Sequence, residues 1–501
     1  MISGSSGRFP IHSVAAPGKI LLVTPPYHCG VAEISGRWIP LNYVSLAGAA
    51  RQAGVQAGIY DAMAKDHGYA DIEARLRASG ATYLATSALT STINEALKVL
   101  ELARQINPAT VTLLGGIHPT FMFDELLQSS QVVDYIVIGE GEVTLRELLQ
   151  TLERGGDPAT VPGIVFRRGE EIIRTPHRPL MDSIDDLPMA WDLLEWEEYS
   201  YFILPGSRLG AIATSRGCLN SCRFCSQHRF WENSWRGRDP RKVAEELTYL
   251  YETYGVNVFL IVDEHPAKDK VRWEELLELL MVRGLPISLI MESRAQDIIR
   301  DRGILWKYRK AGVVHISLGA ESTDQELLDS LRKEQTGEEV REALILLREE
   351  GIVSEASFMV GFPRESPESV KRTLQQAQSL NPDIANFMAF TPWPSMELHG
   401  EVGPYILSHD YSRYNLVDPV VQPAAMTLAQ VESAINACFR KFNMGKIIEI
   451  MTMKDDFRRG YLLRASKLMM GSSFIMKKLA GGMLGTLPGK ISEVKKRFGG
   501  E

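Results

Sequence analysis

The 501-residue sequence contains no apolar run of the roughly 18 residues that a membrane-spanning helix needs. Its first residues, Met1 to Gly7, are small and Ser/Gly-rich, and no secretory signal is expected there. Cysteine is scarce, with five residues in the whole chain, and an odd number that small is not a disulfide framework. Positive charge is not in surplus: the net charge is −7, which removes any general attraction to nucleic acid. Neither a G-x-G-x-x-G after the first apolar strand nor a G-x-x-x-x-G-K-[ST] loop is present. What is there is ordinary globular composition, 45% hydrophobic and 23% charged, so disorder is excluded. A cytoplasmic enzyme of about two to four domains is the expectation.

Residues 1–18 read as a flexible tail. From 19 to 155, apolar runs at Lys19–Thr24, Gln56–Asp61, Tyr83–Ser87, Val111–Gly115 and Tyr135–Ile138 alternate with helix-length segments such as 43–52, 93–106 and 144–154. Five buried parallel strands with crossover helices predict an open, flavodoxin-like (Rossmann-type) α/β sheet, whose ligand binds at the carboxyl ends of the strands. The loops there hold Tyr27 and His28, then Ser87, Thr90 and Ser91, then Gly115, Gly116 and His118, then Glu140 and Gly141. Small and Gly-rich, they let backbone amides approach a large phosphate-bearing ligand; a plain scaffold is the alternative. Residues 156–205, punctuated by Pro162, Pro176, Pro179 and Pro188 and including a hairpin near 163–175, predict a linker packed on a neighbouring domain. Six further strands at 209–214, 256–262, 287–292, 314–318, 356–360 and 386–390, separated by helices that include 297–310, predict a partial (β/α)6 barrel over 206–400, with its chemistry at the C-terminal strand ends. Residues 401–501 read as a helical cap over 411–440 with a buried Cys438, followed by a basic tail. That tail suits either solvent, an anionic membrane surface in peripheral contact, or cover for an apolar ligand.

Three of the five cysteines, Cys218, Cys222 and Cys225, crowd the loop after the first barrel strand. Thiolates are the usual iron–sulfur ligands, and three rather than four leave one iron open. A Cys3His zinc site completed by His228 is the competing reading. C-x3-C-x2-C, with Phe224 before the last cysteine on such a barrel loop, resembles the radical S-adenosylmethionine (SAM) superfamily. That resemblance implies a 4Fe-4S cluster on the three cysteines, with SAM on the open iron and a 5′-deoxyadenosyl radical that takes hydrogen from unactivated carbon. It also implies a SAM site built from Phe224 and the strand-end residues Asp263, Glu264, Glu292, Arg294, Glu321 and Gly361. Asp263-Glu264-His265 departs from the Gly-Gly-Glu form the family carries there. Each acidic residue has an alternative reading as an ordinary strand-end cap or salt bridge.

A flavodoxin-like domain ahead of the barrel resembles the cobalamin-dependent branch. The resemblance makes the first-domain residues, Tyr27, His28, Ser87, Thr90, Ser91, Gly115, Gly116, His118, Glu140 and Gly141, the expected cobalamin site. The D-x-H-x-x-G signature of an axial histidine is missing. Pro26-Tyr27-His28, Leu114 to Phe123, Cys225 to Trp231, Thr391 to Pro394 and Tyr414-Asn415 are similar to the anaerobic magnesium-protoporphyrin IX monomethyl ester oxidative cyclases, from about residue 19 to 465. This implies oxidation of a tetrapyrrole or similar large apolar substrate, with an electron donor such as a ferredoxin or flavodoxin. Radical C-methylation through methylcobalamin is the enzymatic alternative. A non-catalytic cobalamin or redox sensor is the alternative from another class, and it lacks a visible output domain.

Overall fold

In the computed structural model of the chain, residues 18–28 and 32–471 are described; Cys29, Gly30 and the basic tail beyond 471 lie outside them. The first sheet consists of β1 (Lys19–Val23), β2 (Gln56–Tyr60), β3 (Tyr83–Ser87), β4 (Val111–Gly115), β5 (Tyr135–Val137), β6 (Ile164–Arg168) and β7 (Glu171–Arg174), in the order β2-β1-β3-β4-β5-β6-β7. β1 to β5 pair in parallel, as their nearly continuous Ile, Leu and Val content requires of strands covered on both faces. The order reverses between β1 and β3, so a crevice opens at their carboxyl ends.

The hairpin expected inside the 156–205 linker belongs instead to this sheet. β6 pairs antiparallel with β5, and β7 with β6. Ile164, Val165 and Phe166 are buried, and Phe166 meets Tyr135 at 5.6 Å between ring centres. That burial is what draws the hairpin out of a linker role. From Thr175 onward the segment runs in turns that bury Trp191, Trp196, Tyr199 and Tyr201.

The second half opens with β8 (Leu209–Ile212) and a short antiparallel ribbon, β9 (Ser215–Gly217) with β10 (Trp235–Gly237). β11 (Val258–Ile261), β12 (Ser288–Ser293), β13 (Val313–Glu321), β14 (Val353–Val360) and β15 (Ile384–Ala389) complete a parallel sheet in the order β15-β14-β13-β12-β11-β8. β8 and β15 do not pair, so the barrel is open and partial. The helix expected over 297–310 is two helices, Ala295–Arg300 and Leu305–Lys310, broken at the turn around Gly303.

The helical cap expected over 411–440 begins later. Residues 411–427 carry one 3-10 turn and Pro419 and Pro423, which cannot continue a helix. Thr427 then caps a helix running Leu428–Thr452, with Gln430 closing the capping box. A last helix spans Asp456–Gly471. Cys438 is buried as expected. One apolar core runs from Ile20 and Leu22 through the barrel strands to Tyr461 and Ala465, so both sheets and the C-terminal helices share it. Among the described residues no helix is long and apolar enough to cross a membrane.

Candidate active site

The loop that carries the three cysteines starts from a fixed strand end. Asp263, following β11, accepts from Thr214 N–H at 2.7 Å, Thr214 Oγ1 at 2.6 Å and Ser215 Oγ at 2.6 Å. Burial pushes its carboxyl up to about 6, against the pull of those donors. Expected on the SAM site, Asp263 instead commits its carboxylate beneath the loop, where it is 3% exposed. Glu264 anchors the loop further along, accepting from Gly217 N–H at 3.0 Å and from Trp231 Nε1 at 2.7 Å. Gly217 sits at φ 97° with the place of its missing Cβ 2.1 Å from Ser234 O, so only glycine passes there.

The thiols emerge next. Asn220 Nδ2 donates to Cys218 Sγ at 3.2 Å, and Gln227 N–H to Cys225 Sγ at 3.4 Å. Burial works to raise the Cys218 thiol, but the neighbouring His265 and donation from Asn220 outweigh it and hold the thiol low. His265 is oriented by Asp297, 2.5 Å from its Nε2. Cys225 is pushed up to about 12, chiefly by burial and further by its two neighbouring thiols. Burial also raises Cys222, partly offset by the charges of Lys333 and Arg294.

The rim expected to serve SAM gathers at the ends of β12, β13 and β14. Arg294 donates to Glu334 O at 3.1 Å. Glu292, at the end of β12, is open to solvent at its tip yet surrounded by protein, and that desolvation together with the charges of Glu355 and Glu321 raises its pKa. Glu321 stands at φ 61° where the pairing of β13 with β14 slips register, and it binds Lys333 at 2.8 Å. Gly361, at φ 104°, donates its N–H to Glu365. Phe224 is half-buried and packs against the aromatic cluster of Phe362 and Phe390.

Across the domain boundary lies a cavity of about 350 Å³. Ser87, Gly115, Gly116, Glu140 and Gly141 line its first-domain side, and Arg216, Trp231 and Glu264 its barrel side. Gly116 is at φ 101°, where a Cβ would come 2.6 Å from Ala88 O and 2.7 Å from Ser87 Oγ. Tyr27, His28, Thr90, Ser91 and His118 do not line this cavity. Tyr27 donates to Ser412 O at 2.7 Å, and His28 pairs with Asp66 at 3.5 Å. Thr90, buried like Ser91, bonds His118 Nδ1 at 3.1 Å. His118 is 2% exposed, its ring edge-on to Tyr411, and burial lowers its pKa to about 4.

A B12 binding domain model matches residues 27–149 and a Radical SAM superfamily model matches residues 212–377. The chain is 35% identical to the anaerobic magnesium-protoporphyrin IX monomethyl ester cyclase of Rubrivivax gelatinosus over 93% of this chain and 85% of that one. It is 37% identical to the same-named enzyme of Cereibacter sphaeroides, over 90% of this chain and 74% of that one. The chain belongs to this cyclase family of cobalamin-dependent radical SAM enzymes. A hopanoid C-3 methylase of Methylococcus capsulatus is 27% identical over 66% of this chain and 62% of its own. Among solved structures, the radical SAM methyltransferase TsrM of Kitasatospora setae shares the fold at TM-score 0.70 and 16% identity, covering 91% of this chain and 99% of that one. The cobalamin-dependent radical SAM enzyme OxsB shares it at TM-score 0.68 and 16% identity, covering 95% and 74%.

Cobalamin, a 4Fe-4S cluster and SAM are therefore the cofactors of this enzyme, and the residues present fit them. The Radical SAM superfamily match covers the cysteine loop, so a cluster takes the place of the Cys3His zinc reading with His228. A cubane would take one iron from each of three neighbouring thiols, Cys218, Cys222 and Cys225. On the cobalamin side, a crossing tight enough to exclude a Cβ at Gly116 leaves backbone lining an apolar cavity.

Glu140, expected to bind cobalamin, lines the cavity, but its carboxylate is engaged by protein partners. It pairs with Arg216 at 2.9 Å and Arg236 at 2.9 Å and accepts from Met181 N–H at 2.9 Å. Arg216 also reaches Glu142 at 2.7 Å, and its charge holds that carboxyl low although burial alone would raise it. Trp231 lies beneath both guanidinium groups, at 5.6 Å and 5.7 Å. Arg216, Glu142 and Trp231 are not singled out as site residues by sequence reasoning, although each has a signal: Arg216 stands two residues before Cys218, Glu142 two after Glu140, and Trp231 closes the Cys225–Trp231 stretch.

Proposed function

We propose that this enzyme oxidises an unactivated carbon of a magnesium-porphyrin or similar large tetrapyrrole, closing a ring as its cyclase relatives are named for doing. The supporting observation is the degree of likeness: 35% and 37% identity to the two cyclases over nine-tenths of the chain, against 28% to an uncharacterized methyltransferase of Pyrococcus horikoshii over 89% of it and 27% to the hopanoid methylase over 66%. When bound, the cluster, SAM and cobalamin together supply one-electron cleavage of a sulfonium and hydrogen abstraction from carbon. The protein's own residues do the rest. Cys218, Cys222 and Cys225 ligate, Asp263 and Glu264 hold the loop in place, and Arg216 locks that loop to the cobalamin domain. The 350 Å³ cavity, mostly apolar in its lining, leaves room for a large ligand where the domains meet.

The cysteine loop reaches the surface, with Leu219 50% exposed. A reduced ferredoxin or flavodoxin docking there is the proposed source of electrons. A second reading, radical C-methylation, draws support from the hopanoid methylase likeness. The deciding experiment is anaerobic incubation of the reconstituted enzyme with reductant, SAM and magnesium-protoporphyrin IX monomethyl ester, followed by mass spectrometry. An oxidised, ring-closed product with 5′-deoxyadenosine and no S-adenosylhomocysteine is expected. S-adenosylhomocysteine formed in step with 5′-deoxyadenosine, and a product heavier by one methylene, would replace the cyclase reading with the methyltransferase one.

A further inference from the structure

On the helix Leu428–Thr452, four large apolar side chains point away from the protein. Met444, Ile447, Ile448 and Met451 are 65%, 46%, 75% and 68% exposed. Their spacing of i, i+3, i+4 and i+7 puts all four on one face, so two turns of the helix offer a continuous apolar stripe. Single exposed apolar residues are ordinary; a contiguous set marks a contact surface. The opposite face explains why the stripe cannot turn inward. Ile435, Phe442 and Ile450 are buried in the core shared with the barrel strands. Lys446 lies among them, 5% exposed, donating to Asn381 Oδ1 at 2.6 Å and pairing with Glu449 at 2.9 Å. Rotating Ile448 into the core would break both contacts, so a paired lysine stays inside and an isoleucine outside.

The stripe lies far from the chemistry. Asn381 ends the helix Pro367–Leu380 just before β15, so Lys446 marks the amino ends of the barrel strands. The other end of its helix reaches the carboxyl ends, where Val431 Cγ1 is 3.2 Å from the place a Cβ would take at Gly361. Val431 and Lys446 are about 22 Å apart along the helix. Whatever covers the stripe therefore leaves the cysteine loop free.

Charge says what the cover is. From Arg440 to Lys454 the exposed charged residues are Arg440, Lys441 and Lys454, and the one carboxylate, Glu449, is partly buried against Lys446. In a chain of net charge −7 this is a local reversal. The sequence of residues 472–501 adds six Lys or Arg against two Glu, beside Phe474, Ile475, Met476 and Leu479. That tail and the flanks of the stripe carry the same sign, so the tail is not the stripe's complement. Both suit one partner, a surface anionic outside and apolar beneath.

We propose that the face carrying Met444, Ile447, Ile448 and Met451 docks on an anionic lipid bilayer, its apolar side chains entering the interface while Arg440, Lys441 and Lys454 meet the headgroup phosphates. The proposal holds for cyclase and methyltransferase readings alike.

The test sediments the reconstituted full-length holoenzyme with vesicles of phosphatidylcholine, and with vesicles of equal parts phosphatidylcholine and phosphatidylglycerol. At low salt the wild type is expected to pellet with the anionic vesicles and to stay largely in solution with the neutral ones. In the double variant Ile448→Gln, Met451→Gln the partition coefficient should fall on the order of tenfold. Val271→Gln, which removes a side chain 78% exposed on the helix Lys270–Arg283, should leave it unchanged. Iron and cobalamin content equal to the wild type's show that the double variant is folded. If it is not, Ile448→Phe decides, and must bind at least as tightly as the wild type; weaker binding overturns the proposal. A wild type that stays in solution with both vesicles, as it would if the tail lay on the stripe, also overturns it. So does a double variant that binds like the wild type, an equal loss in Val271→Gln, or a double variant whose only change is the loss of a dimer in sedimentation velocity.

Discussion

The three thiols show what a single side chain decides here. Each would ligate a different iron of the cluster, so none substitutes for another, and Cys222→Ala is expected to leave most of the iron unbound after reconstitution. Iron and sulfide per chain, with the visible charge-transfer absorption, measure this directly. His118 makes a different demand. Unfolded, its imidazole titrates near 6.5; folded, burial holds it to about 4. Below pH 6.5 the unfolded chain therefore takes up a proton that the folded chain refuses, and stability falls until pH 4 is passed, by about 3 kcal/mol in all. Urea midpoints between pH 7 and 4 should drop more steeply for the wild type than for His118→Gln. Equal slopes would mean that the ring is charged in the folded state.

Between elements, the telling contact is the clamp joining the β5 loop to the cysteine loop. Glu140 and Glu142 are buried; Arg216 pairs with both, and Arg236 pairs with Glu140 as well. Arg216→Ala would leave Glu140 to Arg236 but strand Glu142, and a loss of about 3–5 kcal/mol is expected, read from chemical denaturation. Arg216→Lys keeps the charge but gives up the two-pronged geometry, so its loss should be smaller. Both variants should also release cobalamin more readily than the wild type in gel filtration. At Gly116, alanine meets Ala88 O and Ser87 Oγ at under 3 Å with φ already left-handed. Gly116→Ala should abolish cobalamin retention while leaving iron content near normal, because the cysteine loop lies on the other sheet.

At the scale of the whole molecule, one apolar core joins both sheets and the last two helices, so the halves should not melt separately. A single calorimetric transition is expected, moving upward as cobalamin is added, by about 2.7 kcal/mol of apparent stability at a hundredfold excess over its dissociation constant. Two resolved transitions, with only one responding to cobalamin, would contradict that coupling.

The parallel strands, the open barrel and the cysteine loop were legible in the amino-acid sequence, because continuous Val, Ile and Leu runs and C-x3-C-x2-C spacing are local signals. Tertiary structure alone decided the rest. The hairpin at 164–174 reads as linker until β5 offers it an edge. Asp263 and Glu140 read as ligand contacts until Thr214, Ser215 and two arginines claim their oxygens. The ion pair of Lys333 with Glu321 carries no local signal, because it depends on the slip in register at the end of β13. Periodicity and spacing act along the chain and can be read there; which carboxylate meets which cation is settled by desolvation on folding, and only the folded arrangement shows it.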